Sequence, residues 1–245
     1  MFEVSVQDYD FGIDPSNANS PTTKFIQMIP RGSRVLEVGC ANGALSAYLT
    51  GELACEVVGI ELNPEAAHQA ERHCSRVVVG DVEKDALERA EGRFDVITFG
   101  DVLEHLVSPG TVLSRCRRLL SDGGFVLISL PNVAHYTVRL RLLRGHFDYE
   151  HRGLLDHTHL RFFTLRTARQ MLADSGYQIS AFDIAYAMRG ARLVRRCRPL
   201  ESFLKRHLTA LIGCGFIFKA VPNSERPDDV RRSVQPGGPP EPASA

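Results

Sequence analysis

Apolar and polar positions along the first 130 residues repeat one pattern: a short run of aliphatic residues, then a stretch with apolar positions three and four apart. The runs at 34–38, 56–60, 76–79, 94–99 and 125–130 are continuous rather than alternating, which is how strands buried on both faces read. Between them, 44–49, 65–73, 82–89 and 111–120 carry helical spacing. The last places Val112, Leu113, Cys116, Leu119 and Leu120 on one face and is stopped by Asp122, Gly123 and Gly124. Pro64 opens the second of these helices, and Asp81 stands where it caps the third. An earlier helix starts at Ser20 or Thr22 and runs to Ile29, where Pro30, Arg31 and Gly32 break it. Five strands separated by helices predict an α/β fold with a parallel, doubly wound sheet.

After Asn132 the alternation stops. Residues 133–143 read as a basic helix, and GHFDYEHRGLLDHTHLRFFT follows, dense in His, Tyr, Phe and Asp. An insertion after the fifth strand of such a sheet hangs over the carboxyl ends of the strands, where ligands bind, so 132–164 is expected to be a lid. Residues 165–175 read as a helix, 177–187 as a strand, 189–208 as a basic, partly helical insertion and 212–221 as the last strand. The Pro-, Ser- and Gly-rich residues 222–245 read as a disordered tail. The expected organisation is thus a cover segment and helix (1–30), a ligand-binding core (31–131), the lid, a C-terminal part of the sheet (165–221) and the tail.

The candidate chemistry begins at RVLEVGCANG, residues 34–43, where a strand ending beside a carboxylate runs into a glycine turn and then a helix. A dinucleotide fingerprint is incomplete here: counted from Gly39, its second and third glycine positions hold Ala41 and Ala44. Glu37 also sets a negative charge where a pyrophosphate would lie. A phosphate-free ligand with a cationic end fits better, and S-adenosylmethionine carries both an ammonium and a sulfonium. Glu61 stands 22 residues past Gly39, the separation at which a strand-end carboxylate meets a ribose diol.

Composition narrows the class. The 245 residues are 44% hydrophobic and 24% charged, which suits one α/β domain with an appendage. No long apolar run is present and the first ten residues are acidic, so a cytoplasmic protein without an integral membrane segment is expected. Six cysteines occur without a C-x-x-C pair and read as buried small residues. The net charge of zero hides an asymmetry, with 11 Lys and Arg against 19 Asp and Glu in residues 1–130 and 18 against 10 afterwards. An acceptor bearing carboxylate or phosphate is one reading of the basic half, and a solvated basic face is the other. Nucleic acid is not expected, because the chain is neutral overall and shows no stacking-aromatic platform.

The stretch 34–43 closely resembles motif I of the class I S-adenosylmethionine-dependent methyltransferases, (D/E)-x-G-x-G-x-G, through Glu37, Gly39 and Gly43, with Ala41 departing at the middle glycine. The resemblance spans roughly residues 9–221. It implies a Rossmann-like seven-stranded, mostly parallel sheet ending in an antiparallel hairpin, with helical insertions after strand five and between the last two strands. It also implies a cofactor set of Glu37, Gly39, Cys40, Ala41 and Gly43 from the first turn, Glu61 and Leu62 from the second strand end, and Asp81 and Val82 for adenine. Gly100, Asp101 and Val102 would lie against the methionine and methyl end, with Glu104 and His105 on the floor of the reaction site.

The middle of the chain is similar to ubiquinone-biosynthesis methyltransferases, and DHTHLRFFT to small-molecule methyltransferases of polysaccharide and secondary-metabolite pathways. The implied activity is methyl transfer to a small-molecule acceptor, with a hydroxyl oxygen of a sugar or secondary-metabolite intermediate as the expected target. Asp101, His105, His157 and His159 are the catalytic candidates, because a histidine titrating near neutrality suits removal of the hydroxyl proton. His135, Tyr136, His151 and Arg161 are the acceptor-side candidates. His157 and His159, on an extended segment, would point to one side together with Asp156 or Glu150. No resident metal is expected, since no partner pair at ligand spacing stands elsewhere. Residues 131–180 are also similar to methionine-biosynthesis accessory proteins, which leaves a catalytically silent, cofactor-binding partner protein as the alternative. A homodimer remains open.

Overall fold

The computed structural model describes residues 20–185 and 209–223. Its centre is a seven-stranded sheet in the order β3-β2-β1-β4-β5-β7-β6. The strands are β1 (Arg34–Val38), β2 (Glu56–Glu61), β3 (Arg76–Val79), β4 (Phe94–Gly100), β5 (Leu120–Pro131), β6 (Tyr177–Ala185) and β7 (Gly215–Pro222). The first five are parallel; β7 runs antiparallel to both β5 and β6, closing the sheet with the expected hairpin. Chain order reverses between β1 and β4, so their carboxyl ends form the topological switch point.

The strand residues alternate between two cores. Val35, Val57, Val96, Leu127 and Ile217 face one layer with Phe25, Ile29 and Leu49, while Leu36, Ile97, Phe99, Phe216 and Phe218 face the other with Leu87, Leu113 and Leu172. Burial on both faces is why the strands read as continuous apolar runs instead of alternating ones.

Apart from the one expected over 44–49, which runs two residues further, the helices are shorter than their sequence pattern suggests. These are α1 (Pro21–Ile26), α2 (Ala44–Gly51), α3 (Pro64–Ala70), α4 (Ala86–Arg89), α5 (Pro109–Cys116), α6 (Tyr136–Leu143) and α7 (Leu165–Asp174). The helix expected over 82–89 keeps only its last turn, because the Asp81 carboxylate accepts from the Glu83 backbone N–H at 2.9 Å and holds a turn there. The stretch 111–120 is α5, a 3₁₀ turn (Arg117–Leu119) and then the start of β5, so Leu119 and Leu120 are not helical. His135 starts the basic helix late by N-capping it, its Nδ1 accepting from the Thr137 N–H, and residues 133–135 stay outside. Ile212 closes a helical turn (Thr209–Ile212) and does not open the last strand. The N-terminal cover up to residue 19, the basic insertion 189–208, the end of the strand expected to reach 187 and the tail from 224 lie outside the described residues.

The insertion between β5 and α7 is pinned at its root by Asn132. This fully buried side chain donates from Nδ2 to the carbonyls of Ala210 (2.9 Å) and Gly213 (2.6 Å) and accepts from the Ala134 N–H at 3.0 Å. Asn132 also bridges to Phe163, so the insertion leaves and returns at one point. α7 then begins with a capping box between Thr164 and Thr167.

Candidate active site at the switch point

The turn after β1 is a tight cradle. Gly39 has φ 73°, and a Cβ there would sit 2.6 Å from the Val102 Cγ2 of the segment after β4. Gly43 has φ 83°, and its Cβ would meet the Ala70 backbone at 2.8 Å. Ala41, the departure from the glycine pattern, adopts φ 50° all the same, so an L-residue carries a left-handed conformation at the place the motif reserves for glycine. What holds it there is Glu61. One carboxylate oxygen accepts from the Ala41 N–H (2.9 Å) and the other from the Asn63 N–H (2.8 Å). Each oxygen retains a lone pair, so the same buried carboxylate can accept from a diol while supporting the loop. Leu62, next along, is 68% exposed, an apolar surface laid open beside the cradle. Asp81 and Val82 begin the turn after β3, the strand next to β2.

Glu37 is oriented differently from a simple counter-ion. It is buried, and Ser46 of α2 donates to its carboxylate at 2.5 Å. Burial is the main reason its pKa is pushed up to about 8, against the Ser46 hydrogen bond, with Cys74 and Glu61 adding smaller repulsions. Cys40 is buried beside it.

Across the switch point, Gly100 and Asp101 are exposed at the end of β4. Asp101 holds φ 52° through one hydroxyl, since Ser129 Oγ accepts from the Asp101 N–H and donates to its carboxylate, both at 2.9 Å. Val102 packs over Gly39, and a 3₁₀ turn (Leu103–His105) follows. Ser129 and Ser46 were not singled out in the sequence, although a serine inside FVLISL was a visible signal, a polar group in a run where every neighbour is buried.

The histidines separate. His159 turns inward, its side chain only 6% exposed, with Nε2 at 4.0 Å from the fully buried Glu104 carboxylate and its ring 4.9 Å from that of His105. Burial, then the nearby His105, holds the His159 pKa below the usual imidazole range. Burial raises Glu104 well above the ordinary carboxylate value, and the charge of Asp101 adds to it. His105 donates from Nδ1 to the Thr158 carbonyl at 3.2 Å, because a carbonyl can only accept. His157 instead lies exposed, 3.3 Å from the Glu150 carbonyl and ring to ring with His151 at 5.6 Å. The expectation that His157 and His159 share a side is therefore corrected. Residues 157–159 form no strand, because the Glu104 carbonyl accepts from the Leu160 and Arg161 N–H groups (both 2.9 Å) and folds the segment over the 3₁₀ turn.

Of the acceptor-side candidates, His135 is buried at the start of α6, with the Tyr136 ring tilted at 45° to its own and 4.5 Å away. Arg161 donates to the Val107 carbonyl at 2.6 and 3.2 Å and serves as a strap. The basic face is also partly engaged: Arg139 donates to the Ala134 carbonyl and Arg141 pairs with Glu150 at 2.6 Å.

A glycine cradle, a strand-end carboxylate and a post-β4 segment thus meet at the carboxyl ends of β1, β2 and β4. The sequence matches the methyltransferase-domain family over residues 13–181. The chain belongs to that family. It is a class I S-adenosylmethionine-dependent methyltransferase by fold and motif, with S-adenosylmethionine as its cofactor. The chain is 39% identical to the ubiquinone biosynthesis O-methyltransferase of Burkholderia cenocepacia over 106 residues, which are 41% of this chain and 45% of that protein. The match thus spans less than half the length of that curated relative. A methyltransferase structure from Archaeoglobus fulgidus superposes with a TM-score of 0.60 at 17% identity, covering 84% of this chain and 94% of the other. The magnesium protoporphyrin IX methyltransferase of Synechocystis PCC 6803, solved with bound S-adenosylhomocysteine, superposes at 0.54 and 16% identity, covering 79% and 75%. At these identities the superpositions establish the fold.

No helix among the described residues is long and apolar enough to cross a membrane.

Proposed function

We propose that this chain transfers the methyl group of S-adenosylmethionine to a hydroxyl oxygen of a small-molecule acceptor. The observation that carries the reading is the meeting of the Gly39 cradle, Glu61 and the Gly100–Val102 segment at one switch point. Glu61 takes the ribose diol, Leu62 lies under the adenine and Asp81 with the Val82 backbone reads its edge. Gly39, Cys40, Ala41 and Gly43 let the chain approach the methionine end, and Asp101 lies beside it. Oxygen as the methylated atom is supported by the name of the partial relative from Burkholderia.

Methyl transfer to a hydroxyl needs the oxygen in line with the S–CH₃ bond and the loss of one proton. The sulfonium supplies the leaving group, and the electron pair of the breaking bond returns to sulfur. The group placed to manage the acceptor's proton is the Glu104–His105–His159 cluster, which begins two residues beyond Val102 and gives His105 and His159 a place in the reaction that the exposed His157 lacks. His135 and Tyr136 line the root of the lid, with His151 at its outer turn. The engaged arginines Arg139, Arg141 and Arg161 lend an anionic acceptor little support, so a neutral hydroxyl compound is favoured.

Calorimetric titration with S-adenosylhomocysteine, followed by transfer of labelled methyl to a panel of hydroxyl acceptors, tests this. Binding with turnover is expected. Binding without turnover across the panel would favour the silent accessory protein, and failure to bind would overturn the reading.

A further inference from the structure

The cluster beside the cofactor cradle has the composition of a metal centre. Glu104, His105 and His159 each offer a donor atom, and these atoms all lie within 4.8 Å of one another. Two stand on the 3₁₀ turn that follows β4, and the third arrives from a segment more than fifty residues later, hooked into place by the Glu104 carbonyl.

The hydrogen bonds do not account for this convergence. Glu104 is fully buried, yet neither of its carboxylate oxygens has a hydrogen-bond partner, and Nδ1 of His159 has none either. An enclosed carboxylate without a donor costs several kcal/mol in general, and an unsatisfied pair of oxygens at a mouth lined by histidines points to a missing positive charge. His105 adds a second, independent sign. Its Nδ1 donates to the Thr158 carbonyl, so Nε2 is the nitrogen left to ligate. A backbone acceptor behind an imidazole, with the other nitrogen free, is how ligating histidines are oriented.

We infer that Glu104, His105 and His159 form a binding site for a divalent transition-metal ion adjoining the cofactor cradle. This departs from the expectation drawn from the sequence, which placed His157 with His159. One carboxylate and two imidazoles suit Mn²⁺, Fe²⁺, Co²⁺ or Zn²⁺ rather than Mg²⁺ or Ca²⁺. Bonds of about 2.1 Å require donors about 3 to 3.5 Å apart, so rotations moving each side chain by about an ångström complete the set. Three protein ligands leave open positions, and His105 opens to solvent, so an exogenous oxygen can enter.

For its role, the site rests on the methyl-transfer reading above. A hydroxyl of the acceptor binds the ion and loses its proton to solvent, and the resulting oxyanion forms the O–CH₃ bond as the S–CH₃ bond breaks. The ion, rather than a histidine base, then makes the hydroxyl nucleophilic.

The test is binding of Co²⁺ alone to the full chain stripped with a chelator, read by its visible d–d absorption and by stoichiometry, with S-adenosylhomocysteine titrated separately. One Co²⁺ per chain is expected, displaced by Zn²⁺, with affinity at least tenfold weaker in Glu104→Gln and in His159→Ala and little changed in His157→Ala. Circular dichroism confirms the fold of each variant. If a substitution unfolds the chain, the wild-type spectrum decides, because nitrogen ligation in a low-coordinate site gives intense bands that aqueous Co²⁺ lacks. Absence of such bands, or equal affinity in folded Glu104→Gln and His159→Ala, overturns the site. That failure is separable from failure of the methyl-transfer reading, which would appear as loss of S-adenosylhomocysteine binding whatever Co²⁺ does.

Discussion

The carboxyl group of Glu37 should make the free protein less stable as the solution becomes more alkaline, and replacing it with an amide should remove that dependence. Burial lifts its pKa from 4.5 to about 8 in the folded chain. Below the unfolded value both states hold the proton, so the folded state suffers no penalty there. Between 4.5 and 8 the unfolded chain has lost the proton while the folded chain retains it, and stability falls as pH rises through this window. At 1.36 kcal/mol per pKa unit the full loss is about 5 kcal/mol, with a slope approaching 1.4 kcal/mol per pH unit in mid-window. Glu37→Gln keeps the volume and can still accept from Ser46 Oγ, so it isolates the charge. Urea unfolding of both proteins at several pH values between about 5 and 7.5 measures the effect. The difference, wild type minus variant, should decline with pH, while contributions from Glu104 and His159 cancel because they are common to both. Parallel curves would show that Glu37 is ionised in the folded chain and refute the argument. The same group predicts a cofactor effect. A bound sulfonium and ammonium favour the carboxylate, so wild type should release more protons on binding than Glu37→Gln does, as read by calorimetry in buffers of different ionisation enthalpy.

Three further outcomes are expected. Glu61→Ala should weaken S-adenosylhomocysteine binding by roughly 1.5 to 3 kcal/mol, the range for a charge-assisted hydrogen bond; unchanged affinity would remove Glu61 from the cofactor site. Gly39→Ala should abolish cofactor binding, because its Cβ would lie 2.6 Å from Val102 and its φ of 73° is left-handed. Adding Val102→Ala should restore only part, since it relieves the clash and not the backbone. Ala41→Gly should stabilise the loop, because relief of about 1 to 2 kcal/mol at φ 50° exceeds the entropy cost of about 0.5 to 1 kcal/mol, and urea unfolding would show it as a higher midpoint.

These outcomes separate what the sequence disclosed from what it hid. The core strands were legible because burial on both faces leaves a continuous apolar signature, and β1 and β3 have the expected ends. The glycine turn and the Glu61 carboxylate under it were legible because they lie within a few residues of strand ends, where local spacing fixes position. Helix ends were less so. Asp81 competes for the backbone it was expected to cap, and His135 caps where a longer helix was read.

The placement of His157 and His159 was hidden for a different reason. His157 and His159 share the parity of an extended segment, and period two would place them together. That inference requires a strand, and a strand requires a partner ladder, which the described residues 157–159 do not have. Their N–H groups are instead taken locally, His157 and His159 by the Glu150 and Asp156 carbonyls and Thr158 by the Asp156 carboxylate, while distant contacts set the direction of the segment: the Thr158 carbonyl accepts from His105 and the Glu104 carbonyl takes the next two N–H groups, of Leu160 and Arg161. Once those bonds form, one histidine must face Glu104 and the other solvent. No local pattern could reveal this, because the deciding acceptor belongs to β4's following turn. The same reasoning explains why Glu104 reads as unexceptional in sequence: an acid beside a histidine on a short turn is ordinary at a surface. It becomes chemically demanding only because residues 158–161, from far along the chain, fold over it and remove the water that would have solvated it.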